Sequence, residues 1–119
     1  MMIKGDGIAY FYSLREANLK RVEYFKHTLE GWTPAQWACA LAGEVGELCN
    51  LIKKDFRRKD DKDAVTTQML ADEMADVAIY LDLIAARHGI DLRKAIVDKW
   101  NEKSAEVNAP FRLKNLASF

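Results

Sequence analysis

Apolar residues recur every three or four positions along most of the chain, a spacing that predicts helices throughout. Runs of alternating β-branched residues, the mark of half-buried strands, are absent. A first helix is expected from about Tyr10 to His27, with Leu14, Ala17, Arg21, Tyr24 and Phe25 along one side. Gly31-Trp32 breaks it, and Thr33-Pro34-Ala35-Gln36 opens the second. Thr33 can cap that helix, Pro34 suits its first turn, and Gln36 completes a capping box. The second helix is expected to reach about Lys54. The segment from Lys53 to Asp63, KKDFRRKDDKD, then carries six basic and four acidic residues. It reads as a solvated connector, with a flap over a substrate as the functional alternative. A third helix starts between Ala64 and Thr67 and stops at Gly89, a C-terminal glycine. Asp91 can cap a fourth, which runs to about Asn108, and residues 109–119 form an irregular tail. The expectation is one all-α domain over residues 1–119, a four-to-five-helix bundle with its core in about 32–108. So small a bundle has limited interior, so assembly as a homo-oligomer is expected.

Composition narrows this further. Half of the 119 residues are hydrophobic, enough for a packed core. Eighteen Lys+Arg against eighteen Asp+Glu leave no net charge, which argues against nucleic acid or anionic lipid as a partner held by bulk charge. No signal peptide and no membrane span is expected, since the longest apolar stretch, Val77 to Ala86, is interrupted by Asp82. Cys39 and Cys49, on one helix, would lie about 15 Å apart and could not bond to each other. A reducing, cytoplasmic location is the expectation that follows.

The chemistry lies in two acidic doublets. Glu44 and Glu47 share a face of the second helix, and Glu73 and Asp76 share a face of the third, each at i, i+3 spacing. At about 100° per residue, Glu44 falls among Trp37, Leu41, Leu48 and Leu51, inside the apolar arc, with Glu47 at its edge. Glu73 falls between Val77 and Tyr80, and Asp76 between Met69 and Leu83. A carboxylate in an apolar setting loses solvation and is held above its usual pKa, and four together repel. A cation must compensate. Hard oxygen ligands without Cys or His favour Mg²⁺, with Mn²⁺ as the alternative. Ion pairing with Lys99, Lys103 or Arg87, or placement at a subunit interface, remains the competing explanation. On the fourth helix Lys103 falls on the apolar arc and Lys99 at its edge, where both can hold phosphate oxygens or pair with the acids. A di-iron bundle needs Glu-x-x-His, and neither His27 nor His88 follows a Glu by three.

Glu44-Val45-Gly46-Glu47 followed by Glu73-Met74-Ala75-Asp76 resembles the ExxE…ExxD signature of the MazG-like all-α nucleoside triphosphate pyrophosphohydrolases. The flanking segments, LAGEVGELCNLIKK and LADEMADVAIYLDLIAARHGIDLRKAIVDKWNE, look similar too, so the likeness spans roughly Trp32 to Asn108. The short chain looks like a stand-alone member of a kind also found in phages. The resemblance implies hydrolysis of a nucleoside triphosphate between its α and β phosphates, giving a monophosphate and pyrophosphate. It implies that Glu44, Glu47, Glu73 and Asp76 bind Mg²⁺. The attacking water is activated either by metal coordination or by one of the carboxylates, and Glu47 is the candidate base. The resemblance assigns Lys99 to phosphate and implies a homodimer or homotetramer; Tyr80 is either a nucleotide contact, as a matching aromatic is in some relatives, or a core tyrosine with its hydroxyl satisfied. Trp37 is either a wall of the base pocket or a core residue, and Lys54 either a phosphate contact or a solvated lysine. A dUTPase-like diphosphatase, a phosphoribosyl-ATP pyrophosphohydrolase, a non-catalytic helical partner protein and a metal-stabilised structural dimer are the alternatives.

Overall fold

A computed structural model describes residues 12–57 and 64–115, and all regular structure among them is helical. Helix α1 covers Leu14–Tyr24, a 3₁₀ turn covers Leu29–Gly31, and α2 covers Pro34–Arg57. Helices α3 and α4 cover Thr67–Arg87 and Leu92–Glu106.

The helix starts follow from side chains that can accept from free amides. The Thr33 hydroxyl accepts from the Gln36 amide at 3.2 Å, and the Gln36 side chain accepts from the Thr33 amide at 2.8 Å. The box expected from the sequence is therefore formed. Ser13, Thr66 and Asp91 cap the other three helices in the same way. Several boundaries differ from expectation. Helix α1 ends three residues early, because the backbone turns at Lys26 (φ 58°), and the part of the prediction near Tyr10 lies outside the described residues. Helix α2 continues through Lys53–Arg57, which the charge density had assigned to a loop; charge does not oppose a helix face that meets solvent. Residues 58–63 of that segment lie outside the described residues.

Helix α3 ends as predicted at a glycine: Gly89 has φ 68°. A Cβ there would touch nothing within 4 Å, so the only objection to a side chain is the left-handed backbone. Gly89→Ala is expected to cost about 1–2 kcal/mol in urea unfolding at fixed protein concentration.

Helix α3 is the hub. It packs along α2 and is crossed by α1 and the 3₁₀ turn. The Trp37 ring meets Tyr80, and the Glu44 and Glu47 carboxylates meet Glu73, so α2 and α3 run antiparallel. Helix α1 is fastened to α3 by polar groups. Asp82, only 4% exposed, accepts from Arg15 Nε at 3.2 and 3.3 Å and from Asn18 Nδ2 at 2.9 Å. Arg15 also donates to the Ile90 carbonyl at 2.7 Å and so ties down the turn into α4.

Helix α4 has no comparable packing on α1, α2 or α3. Its own tail folds back on it. Asn101 donates to the Leu113 carbonyl and accepts from the Leu113 amide, while Ser104 donates to the Phe111 carbonyl at 2.6 Å. Trp100, Val107 and Phe111 remain exposed. Among the described residues, α4 thus adds little to the interior shared by α1, α2 and α3. Among the described residues, the hydrophobic side chains that are buried are Trp37 and Ala85. A helical hairpin crossed by one short helix cannot enclose more. No helix among the described residues is long and apolar enough to cross a membrane.

Candidate metal centre and adjoining cavity

Two helical turns separate Trp37 from Glu44 on α2, and the same rise separates Tyr80 from Glu73 on α3. Because the helices are antiparallel, the aromatic pair lies at one level and the acids at another, about 10 Å away. At the acidic level, Glu44, Glu47 and Glu73 each offer a carboxylate oxygen within 4.8 Å of the others. Glu44 and Glu73 are half-buried and Glu47 is exposed. One oxygen of Glu44 and one of Glu73 are shut off from solvent and receive no hydrogen bond. Among the described residues, no arginine or lysine charge acts on them. The charges that act on the two acids are those of Glu47 and Asp76, with Glu44 also acting on Glu73.

Both groups are consequently harder to ionise than an ordinary glutamate. Loss of solvation is the first cause and repulsion from Glu47 the second. A protonated Glu44 or Glu73 can also donate a hydrogen bond to Glu47, which favours the neutral form further. An orphaned carboxylate oxygen facing other carboxylates is what a divalent cation relieves, and three hard oxygen donors suit Mg²⁺ or Mn²⁺. The residues present therefore fit the group. Asp76 is exposed and stands outside the three-residue cluster, although its charge reaches Glu44 and Glu73.

The raised pKa values have a consequence for stability. The folded chain holds protons on Glu44 and Glu73 at pH values where the unfolded chain has released them. Their contribution is fully present below the ordinary value of 4.5 and is lost as pH rises through the raised values. In EDTA, the melting temperature of the wild type relative to Glu73→Gln is expected to fall as pH rises from about 4.5 to neutral. Mg²⁺ should reverse that fall at neutral pH and do little in acid, because protons compete for the same oxygens. A difference that stays flat with pH in EDTA would remove the repulsion argument.

The other residues singled out in the sequence divide. Trp37 is 7% exposed, donates its indole N–H to the Leu29 carbonyl at 2.9 Å, and packs against Trp32 and Tyr80. It is thus both a core residue and a wall, for Trp37 and Tyr80 line a cavity of about 420 Å³ between α1, the 3₁₀ turn, α2 and α3. That volume lies within the range of small-molecule sites. Lys54 is exposed, two turns beyond Glu47 and on the side away from the cavity. Lys99 and Lys103 do not join the acids within this chain. They are 76% and 69% exposed and pair with Glu102 and Glu106 of their own helix. The helix phase puts Lys103 on the apolar arc of α4 and Lys99 at its edge, but α4 has no comparable packing on α2 and α3. Cys39 and Cys49 are exposed free thiols.

Compared with models of known protein families and with curated proteins, the chain matches none. Four residues around the cavity and the α1–α3 contact escaped the sequence reading: Arg15, Asn18, Trp32 and Asp82. One signal was present. An aspartate inside the longest apolar stretch has to be paired if buried. Its partners lie 64 and 67 positions away and cannot be read from spacing.

Proposed function

We propose that this protein is a Mg²⁺-dependent nucleoside triphosphate pyrophosphohydrolase, of the kind its acidic doublets resemble. One observation carries the reading: three carboxylates from two helices converge, and two of them keep solvent-excluded oxygens without a donor. Glu44, Glu47 and Glu73 would hold Mg²⁺, with Asp76 adding negative charge beside them. When bound, the ion would neutralise the triphosphate and polarise the phosphorus under attack. Glu47 is the exposed member and the one that can take a proton from the attacking water. The α2–α3 hairpin holds the acids rigidly, and the aromatic cavity two turns away can take the base, so catalysis rests mainly on positioning and charge.

The proposal includes a homodimer or homotetramer. The unpacked face of α4 supports it: Trp100 and Val107 are exposed there and can be covered by another copy. Lys99 and Lys103 would then act across a subunit boundary or not at all. A reducing, cytoplasmic location completes the reading.

The test is a panel of nucleoside triphosphates incubated with the protein and Mg²⁺, with products resolved by ion exchange. Monophosphate plus pyrophosphate is the expected result. Diphosphate plus orthophosphate, or no turnover of any member, would overturn the proposal. The same panel separates it from a dUTPase-like or phosphoribosyl-ATP enzyme. Sedimentation should give two or four times the 13.6 kDa chain mass.

A further inference from the structure

Asn18 is 2% exposed, yet it lines the aromatic cavity. Its amide is oriented by its neighbour. Nδ2 donates to Asp82 Oδ2 at 2.9 Å, and Asp82, a carboxylate facing Arg15, can only accept. The amide therefore cannot be turned over without setting two acceptors against each other. Its carbonyl oxygen accepts no hydrogen bond among the described residues. With Nδ2 engaged by Asp82, the carbonyl is the polar end of this buried side chain left to serve a chamber walled by Trp32, Trp37 and Tyr80.

We propose that Asn18 is a specificity-determining residue that accepts a hydrogen bond from an N–H on the pairing edge of a nucleobase held in this cavity. Three aromatic walls favour a flat ring by stacking. Stacking alone does not discriminate, since every base has a π-face. The fixed oxygen adds the discrimination. A base without an N–H to offer would leave Asn18 Oδ1 desolvated and unpaired, and methyl groups in place of those hydrogens would also press against it. Asp82 and Arg15 act as positioning residues: they hold the amide and touch no ligand. The identity of the ring as a nucleobase rests on the function proposed above, but recognition by Asn18 does not require hydrolysis.

The experiment uses binding alone. Deoxynucleoside monophosphates are titrated into the full-length protein with Mg²⁺, each beside a counterpart whose edge N–H hydrogens are replaced by methyl groups. The readout is the NMR shift of the indole N–H signals of Trp32 and Trp37, with Trp100 on α4 as an internal control. The wild type is expected to bind at least one unmodified nucleotide about tenfold or more tightly than its methylated counterpart. Asn18→Ala should bind the two alike. Asp82→Asn should narrow the gap, because the Asn18 amide can then face either way. Equal binding of both members of every pair by the wild type overturns the proposal, and that arm needs no variant to fold. Shifts confined to Trp100 also overturn it. A protein that discriminates in this way without turning over any triphosphate keeps the Asn18 assignment and loses the hydrolase. A protein with turnover but no discrimination does the reverse.

Discussion

Glu73→Gln is expected to lower Mg²⁺-dependent turnover by roughly 10²- to 10³-fold while leaving the helices intact. The estimate follows from the several kcal/mol of charge stabilisation that a bound metal contributes, at one factor of ten per ~1.4 kcal/mol. Glutamine keeps the shape of the side chain and removes the charge. Because Glu73 repels Glu44 and Glu47 and is itself poorly solvated, the metal-free variant should be at least as stable as the wild type at neutral pH. This pairing of outcomes is the useful part. A residue that merely supports the fold loses stability and activity together. A metal ligand in an acidic cluster loses activity and gains stability. Circular dichroism melts in EDTA, Mg²⁺ binding by calorimetry and initial rates check all three. Glu44→Gln should behave alike, since it shares the same solvent-excluded environment. Asp76→Asn should cost less, as Asp76 is exposed and outside the cluster. Unchanged turnover in Glu73→Gln would end the metal-centre reading.

Asp82→Ala is expected to destabilise the protein by about 2–3 kcal/mol. A fully enclosed ion pair broken on one side costs roughly 3–5 kcal/mol, and the Arg15 side chain keeps 28% of its exposure, which lowers the figure. The loss is of two kinds. Arg15 is left with one carbonyl partner, and the Asn18 amide is left buried without an acceptor. Since α1 reaches α3 through this carboxylate, the change should also loosen one wall of the aromatic cavity. Asp98→Ala is the control. Asp98 pairs with Lys94 one turn away on α4, both side chains well exposed, and its removal should cost under about 0.5 kcal/mol. Urea unfolding of both variants at one protein concentration makes the comparison. Equal effects would mean that the Asp82 cluster does not fasten α1.

Some of this could be read along the chain and some could not. The four helices were legible because their signals are local. Thr33 and Gln36 lie three residues apart, Asp91 sits three before Lys94, and Gly89 ends α3 within one turn. The acidic faces were legible for the same reason, since i, i+3 spacing puts two side chains on one side of any helix. Convergence of Glu44, Glu47 and Glu73 was an inference from phase, and their meeting depends on how α2 lies on α3. Lys99 and Lys103 show where phase fails. Their angle around α4 is a property of the sequence, but the direction in which α4 leaves the bundle is not.

The sequence by itself determined the helical class, the caps, and the arcs on which acids and apolar residues fall, because each depends on neighbours within a turn or two. Tertiary structure alone decided which arcs meet. It joined Asp82 to Arg15 and Asn18, opened a chamber between Trp32, Trp37 and Tyr80, and left Trp100 and Val107 exposed at α4. The physical reason is that packing choices are made between surfaces far apart along the backbone, where periodicity carries no information about which face will find which.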